Sequence, residues 1–147
     1  MATMCLAFSG CSNNGSSVSE GAETGNPEEI VEGYYTCLIN EKYDIAYDKY
    51  VSSISKVFET KEEFSQRMEL AAFMQDKKLK DILINDTEIV VGTEVVIYKI
   101  KGIAKYELEG EIITEDFYEY VITQEKTGFN RILIDGALSA KPYEMAN

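Results

Sequence analysis

The stretch VIYKIKGIAKYEL, residues 96–108, decides the fold class. Its even positions are apolar or glycine and most of its odd positions are charged, which is the period of a β-strand with one buried face. A straight strand from Thr93 to Leu108 would extend about 50 Å, which is too long for a small domain. Gly102 lies on the apolar face and is therefore the predicted position of a bulge or a sharp bend.

Further strands are predicted on both sides of this one. Residues 79–91 form an earlier strand. The pair Glu109-Gly110 predicts a turn into a strand over about 111–124, and the following turn leads to a short last strand over 129–134. Because turns this short join antiparallel neighbours, we expect an antiparallel meander of about four strands.

Apolar residues at helical spacing mark three helices before these strands. The first spans 27–39; Asn26 is a good N-cap before it, and a proline fits its first position. A second, short helix follows. The third begins with the capping box of Thr60 and Glu63 and ends near Gln75.

This order of elements predicts one α+β domain over residues 27–138, with three N-terminal helices packed on one face of a bent antiparallel sheet. The apolar stripes of the first and third helices should be buried against the sheet: Ile30, Tyr34, Leu38, Phe64 and Met68. Cys37 lies in the first stripe and is expected to be a small buried apolar residue. Residues 139–147 are expected to form a frayed tail.

The N-terminus carries a different pattern, LAFSGC at residues 6–11, followed by the polar run SNNGSS. An apolar segment, two small residues, a cysteine and a flexible linker resemble the lipobox of bacterial lipoproteins. The resemblance implies that residues 1–10 are the remnant of a signal peptide and that Cys11 carries a lipid. Residues 11–26 would then tether the domain to a membrane of the cell envelope, outside the cytoplasm. Secretory signals begin with positive charge, and no lysine or arginine precedes Lys42. We therefore expect that Met1 is not the native start.

The charge balance restricts the partners. The chain has 26 acidic and 14 basic residues and a net charge of −12. Such a surface repels phosphate backbones, so nucleic acid is not an expected partner. It also repels anionic lipid headgroups, so membrane attachment would come from the lipid on Cys11 and not from basic patches.

Four segments together resemble the NTF2-like domains, in particular those of small bacterial lipoproteins. They are PEEIVEGYYTCLI at 27–39, EKYDIAY at 41–47, TKEEF at 60–64 and TGFNRI at 127–132. The resemblance covers most of residues 27–136. It implies a cone in which helices close the concave face of a bent sheet, and a possible homodimer through the exposed sheet face.

The residue types limit the chemistry. The chain has no histidine, which removes the commonest general base and the commonest ligand of transition metals. The sequence contains no set of thiolates for zinc and no glycine-rich phosphate loop. We therefore expect no metal site and no cofactor.

Asp116 is the one weak catalytic candidate. Strand parity places it on one face with Tyr118 or Tyr120. An acid beside phenols in an apolar cone resembles the set with which NTF2-like isomerases abstract a proton and stabilise an oxyanion.

Tyrosine is abundant, with ten residues in 147. Tyrosines can pack in a core with their hydroxyls at its rim, or they can line a pocket for a small amphipathic molecule or a peptide. The pocket candidates are Tyr34, Tyr98, Tyr106, Tyr118 and Tyr120.

The sequence thus favours a surface-anchored lipoprotein whose NTF2-like domain binds a ligand or partner without catalysis. Two alternatives stay open. One is a small-molecule enzyme of the isomerase or dehydratase type that uses Asp116 with tyrosines. The other is an assembly or stress-associated accessory domain that pairs through its sheet face.

Overall fold

The computed structural model describes residues 25–92, 95–124 and 127–134. They form α1 (Pro27–Ile39), α2 (Tyr43–Tyr50), α3 (Ser53–Phe58), α4 (Lys61–Met74), β1 (Lys78–Gly92), β2 (Val96–Leu108), β3 (Glu111–Thr123) and β4 (Asn130–Leu133). The strands make one antiparallel sheet in the order β1-β2-β3-β4. The predicted α+β class with four antiparallel strands is confirmed. The predictions for the signal remnant, Cys11, nearly all of the tether and the tail lie outside the described residues.

The helix starts follow from local capping. Asn26 accepts a hydrogen bond from the backbone N–H of Glu29 (2.9 Å), and the carboxylate of Glu29 accepts one from the N–H of Asn26 (2.9 Å). Thr60 and Glu63 make the same reciprocal pair at α4. Each pair satisfies N–H groups that the first helical turn leaves without partners. Both predicted helix starts are therefore confirmed.

The predicted number of helices is wrong for the described residues, because they contain a fourth helix, α3. Val51 leaves the helical path after α2 and forms a parallel bridge to Ile132. Ser52 then caps α3 by accepting a hydrogen bond from the N–H of Ser55. The six residues of α3 are too few for a clear apolar period, so the sequence pattern did not reveal it.

The main core lies between the helices and one face of the sheet, which we call the inner face. It includes Ile30, Val31 and Tyr34 of α1, Phe64 of α4, and Ile100, Val121 and Ile132 of the sheet. The predicted burial of Ile30, Tyr34 and Phe64 is confirmed. Leu38 and Met68 are only half-buried, because they border a cleft that is described below.

A second cluster lies on the opposite face of the sheet, the outer face. Ile97, Ile122 and Leu133 are buried there, with Ile54 of α3 packed against them. The sheet is thus covered on both faces where β4 joins it, and we call this region the closed end. The region where α1 ends, β1 begins and β2 turns into β3 is the open end.

Gly102 permits a close approach of β1 to β2. A Cβ atom at this position would lie 2.2 Å from the carbonyl oxygen of Leu83 and 2.8 Å from a ring carbon of Phe117. The predicted bulge is not in β2, whose register with β3 is continuous. It lies in β1, where the register shifts between Ile84 and Asp86, directly opposite Gly102. The glycine therefore marks the right place on the sheet but the wrong strand.

Candidate ligand-binding site

A cleft of about 740 Å³ opens at the open end of the domain. This volume lies within the range of roughly 300–1,000 Å³ that is usual for small-molecule sites. Its apolar and aromatic walls come from all three longer helices and the first two strands: Tyr35, Leu38, Ile39, Tyr43, Met68, Ala71, Ala72, Leu79 and Tyr106.

The path of α4 creates the cleft. Its first half is held to the domain by the buried ring of Phe64, whereas residues 69–74 are all exposed. Ala71 and Ala72 line the cleft on one side of this projecting half. Phe73 is 86% exposed. The small alanine side chains leave room between α4 and the rest of the domain.

Tyr35 lines the cleft, and its hydroxyl donates a hydrogen bond to the carboxylate of Glu119. Glu119 pairs with Ile100 in the β2–β3 register and so lies on the inner face. The ring of Tyr35 packs against Phe117 at 5.2 Å between centroids. Burial first, and then the negative charge of Glu119, raise the pKa of Tyr35. The Tyr35 hydroxyl thus stays protonated, and the lone pairs of its oxygen can accept hydrogen bonds.

Charged side chains surround the cleft. The ammonium of Lys77 pairs with Glu115 and lies 4.6 Å from the ring centroid of Tyr106. Lys80 pairs with Glu107 at 3.5 Å. Among the described residues, the remaining lining charges form no ion pair: Glu41, Asp76, Glu109 and Lys78. The lining residues without an ion pair therefore comprise three acids and one lysine.

Two of these acids have an uncommon backbone conformation. Glu41 has φ 59° and Glu109 has φ 52°, and among the described residues no other residue except glycine has positive φ. Glu41 follows α1, where the N–H of Lys42 bonds to the carbonyl of Cys37 at 2.8 Å, a helix end that usually carries glycine. Glu109 and Gly110 form the predicted turn between β2 and β3, and this part of the prediction is confirmed.

Acidic neighbours also affect the other two phenols of the cleft. Burial first, then the charges of Glu41 and Glu69, raise the pKa of Tyr43. Burial first, then the charge of Glu115, raise the pKa of Tyr106, and Lys77 opposes this. Burial is thus the first cause at both phenols, and carboxylate charges add to it.

The five tyrosines predicted as pocket residues lie in three places. Tyr106 lines the cleft. Tyr34 is buried in the core, with its ring 6.4 Å from that of Phe64, and Tyr98 packs against the core from the inner face. Tyr118 and Tyr120 lie on the outer face in edge-to-face contact, with Lys99 4.7 Å from the ring centroid of Tyr118.

Asp116 shares a face with Tyr118 and Tyr120, as parity predicts, but this is the outer face. Its side chain is exposed and lies on the opposite side of the sheet from the helices. The carboxylate that meets a phenol under the helices is Glu119, with Tyr35. Sequence reasoning also missed Tyr43. The sequence offered one signal for Tyr35, because its spacing of four residues from Val31 and from Ile39 places it beside apolar residues on α1.

Within residues 25–92, 95–124 and 127–134, no group of three or more His, Cys, Asp or Glu residues could hold a metal ion. The helices in the same ranges include none that is long and apolar enough to cross a membrane. No protein-family model matches the chain, and no curated protein sequence matches it.

Proposed function

We propose that the chain is a lipid-anchored binding protein of the cell envelope, and that its NTF2-like domain holds a small amphipathic molecule or a short peptide in the cleft at the open end. The observation that carries the proposal is the cleft itself. It combines apolar walls with a small number of polar groups, of which the Tyr35 hydroxyl is fixed by Glu119. Such a combination is typical of small-molecule sites in proteins.

Support for the NTF2-like assignment comes from α1, α2 and α4, which contribute to the core on the inner face of a four-stranded antiparallel sheet. Support for the anchor comes from Ser9, Gly10 and Cys11 and the polar residues after them. Gly25 accepts a hydrogen bond from Asn130 at 3.1 Å, at the closed end. The chain therefore enters the described domain at its closed end, which is opposite the cleft.

The acid that the enzyme alternative names, Asp116, does not line the cleft. Asp116 is on the outer face, and Glu119, which accepts a hydrogen bond from the Tyr35 hydroxyl, is not among the residues that line the cleft. A general base has to lie within hydrogen-bond reach of its substrate. We therefore favour binding over turnover. Asp116→Asn should leave ligand affinity unchanged.

The accessory-domain alternative is favoured by apolar side chains on the outer face, where Leu83 is 57% exposed and Ile112 is 60% exposed. Sedimentation velocity of the wild type and of Leu83→Glu would test pairing through this face. A wild-type dimer that dissociates in the variant would support it.

Binding in the cleft can be tested with N-phenyl-1-naphthylamine, a neutral apolar dye whose fluorescence rises in apolar surroundings. The wild type should show saturable binding at one site. Ala72→Trp should fill the cleft and weaken binding at least tenfold. Phe73→Trp, one residue further on the exposed side of α4, is the matched control and should bind like the wild type. Absence of saturable binding, or equal loss in both variants, would contradict the proposal.

The anchor has an independent test. Expressed in a bacterium with a complete leader, the mature protein should begin at Cys11, carry the mass of a lipid and sediment with membranes. Cys11→Ser should abolish all three properties. An unmodified Cys11 in the cytosolic fraction would show that the anchor proposal is wrong, without affecting the proposal for the cleft.

A further inference from the structure

We propose that the cleft selects a cation with an apolar body, that is, an amphipathic amine, over an amphipathic anion. The inference rests on the proposed function and names the class of ligand for the same cleft. Three observations support it: Tyr35 can act only as a hydrogen-bond acceptor toward a ligand, the Lys77 ammonium lies in the wall of the cleft, and acids outnumber lysines among the unpaired charges at the cleft opening.

Tyr35 offers the ligand an acceptor and not a donor. Its one hydroxyl proton goes to Glu119, and a phenol has no second proton. Toward any ligand that reaches it, the oxygen can therefore act only as an acceptor, and the carboxylate of Glu119 polarises it. An ammonium N–H can donate to this oxygen, whereas a ligand carboxylate would face its lone pairs and the nearby charge of Glu119.

The cleft wall already holds one ammonium in a suitable setting. Lys77 lies 4.6 Å from the ring centroid of Tyr106 and pairs with Glu115. This wall of the cleft thus accommodates an ammonium group, that of Lys77 itself, against an aromatic face. A second phenol of the lining, Tyr43, lies near the carboxylates of Glu41 and Glu69.

The charges at the mouth point the same way. Two of the three lining lysines are paired with glutamates, which leaves Lys78 against Glu41, Asp76 and Glu109. The whole chain has a net charge of −12. A cation is therefore attracted both at long range and at the mouth, whereas an anion is repelled by both.

The apolar residues supply the other half of the selectivity. Leu38, Ile39, Met68 and Leu79 form walls without charge, so a small hydrated cation gains little from entering. An alkyl chain buries apolar surface there, and its ammonium can remain among the phenols and acids. Tight binding therefore needs both the alkyl chain and the positive charge of the ligand.

Three ligands with the same chain separate these contributions: octylammonium, octanoate and 1-octanol, each titrated into the protein by calorimetry at low ionic strength. Octylammonium should bind at least tenfold more tightly than octanoate, with 1-octanol between them. In 0.5 M sodium chloride the difference should shrink, because added salt screens exposed charges. The order of the three should otherwise persist.

Variants assign the preference to the cleft. Tyr35→Phe should weaken octylammonium about fivefold and leave 1-octanol within twofold. Glu41→Gln should weaken octylammonium by about twofold to fivefold. Asp116→Asn removes one charge from the outer face and is the control, with no change beyond the general effect of net charge.

The outcomes distinguish the two proposals. If octanoate binds as tightly as octylammonium and Ala72→Trp abolishes both, the cleft binds amphipaths and the inference about charge is overturned. If none of the three ligands binds, the proposed function fails together with it. If octylammonium binds but Ala72→Trp and Tyr35→Phe have no effect, the cation site lies elsewhere and the inference is overturned.

Discussion

The closed and open ends of the domain differ in how completely the sheet is covered. At the closed end, Ile132 is buried on the inner face and Ile97 and Leu133 on the outer face. Buried polar atoms there have partners: the Ser55 hydroxyl oxygen accepts hydrogen bonds from the Ser52 hydroxyl (3.0 Å) and from the N–H of Ile134 (2.9 Å).

At the open end the same chain leaves space. The second half of α4 is exposed, the cleft lies beside it, and two glutamates take positive φ where glycine would be favoured. Unfavourable local conformations persist where the surrounding fold holds them, and they concentrate at functional sites. Covered core is thus concentrated at one end of this sheet, and the cleft that we propose as a binding site lies at the other.

The largest effect should come from two truncations in one helix. Ile30 is fully buried toward the closed end, whereas Leu38, two turns further along α1, is half-buried beside the cleft. Ile30→Ala should lower the free energy of unfolding by about 2–5 kcal/mol. Leu38→Ala should lower it by only about 1 kcal/mol, because less apolar surface is lost. Urea denaturation measures the free energy of unfolding of both variants. Equal decreases in the two variants would refute the distinction between the two ends.

Gly102→Ala tests the approach of β1 to β2 between the two ends. The new methyl group would collide with the Leu83 carbonyl oxygen, and backbone cannot move aside as a side chain does. We expect a loss of about 1–3 kcal/mol, as for other overpacked sites. Gly110→Ala is the comparison, since its Cβ would meet no atom within 4 Å and only its φ of 83° is unfavourable. A loss at Gly102 no larger than that at Gly110 would mean that the strands can separate without cost.

Alkaline pH should weaken the domain through Tyr35. Its pKa in the folded protein is raised above the ordinary value of 10.0. Below pH 10 the phenol is protonated in both the folded and the unfolded chain, and its full contribution to the free energy of unfolding is present. Above pH 10 the unfolded chain loses this proton and the folded chain keeps it. The free energy of unfolding therefore falls by about 1.4 kcal/mol per pH unit for this residue. Tyr35→Phe should reduce the slope between pH 10 and 11 by that amount. An unchanged slope in the variant would show that the phenol is not held by burial and Glu119.

The smallest effect should have the opposite sign. Glu41→Gly relieves a positive φ of 59° at the end of α1 and should stabilise the protein by about 0.5–1 kcal/mol. The neighbouring Lys42 has φ −98°, so Lys42→Gly should instead destabilise it. Thermal denaturation should show a higher melting temperature than the wild type for Glu41→Gly and a lower one for Lys42→Gly. Destabilisation by Glu41→Gly would mean that the glutamate side chain contributes more to the fold than its backbone conformation opposes.

The sequence predicted what depends on neighbouring residues. The caps of α1 and α4 need partners only three residues away, and the turn at Glu109-Gly110 needs two adjacent residues with positive φ. These features could therefore be read without knowledge of the tertiary structure.

The cleft could not be predicted, because it depends on where α4 points after Phe64. The face of β3 was also ambiguous. Its C-terminal half has aromatic or aliphatic side chains at both parities, in the run FYEYVI at 117–122, so alternation does not show that Glu119 faces the helices and Asp116 does not. The contact of Tyr35 with Glu119 joins residues 84 positions apart, and neither residue signals the other locally.

The most direct test of the division between the two ends is an amide chemical-shift map of the protein titrated with octylammonium. The account predicts saturable shifts at the open end, at Tyr35, Tyr43 and Tyr106, and none at Ile122 or Leu133. Saturable shifts that centre on the closed end, or that spread evenly over both ends, would contradict it.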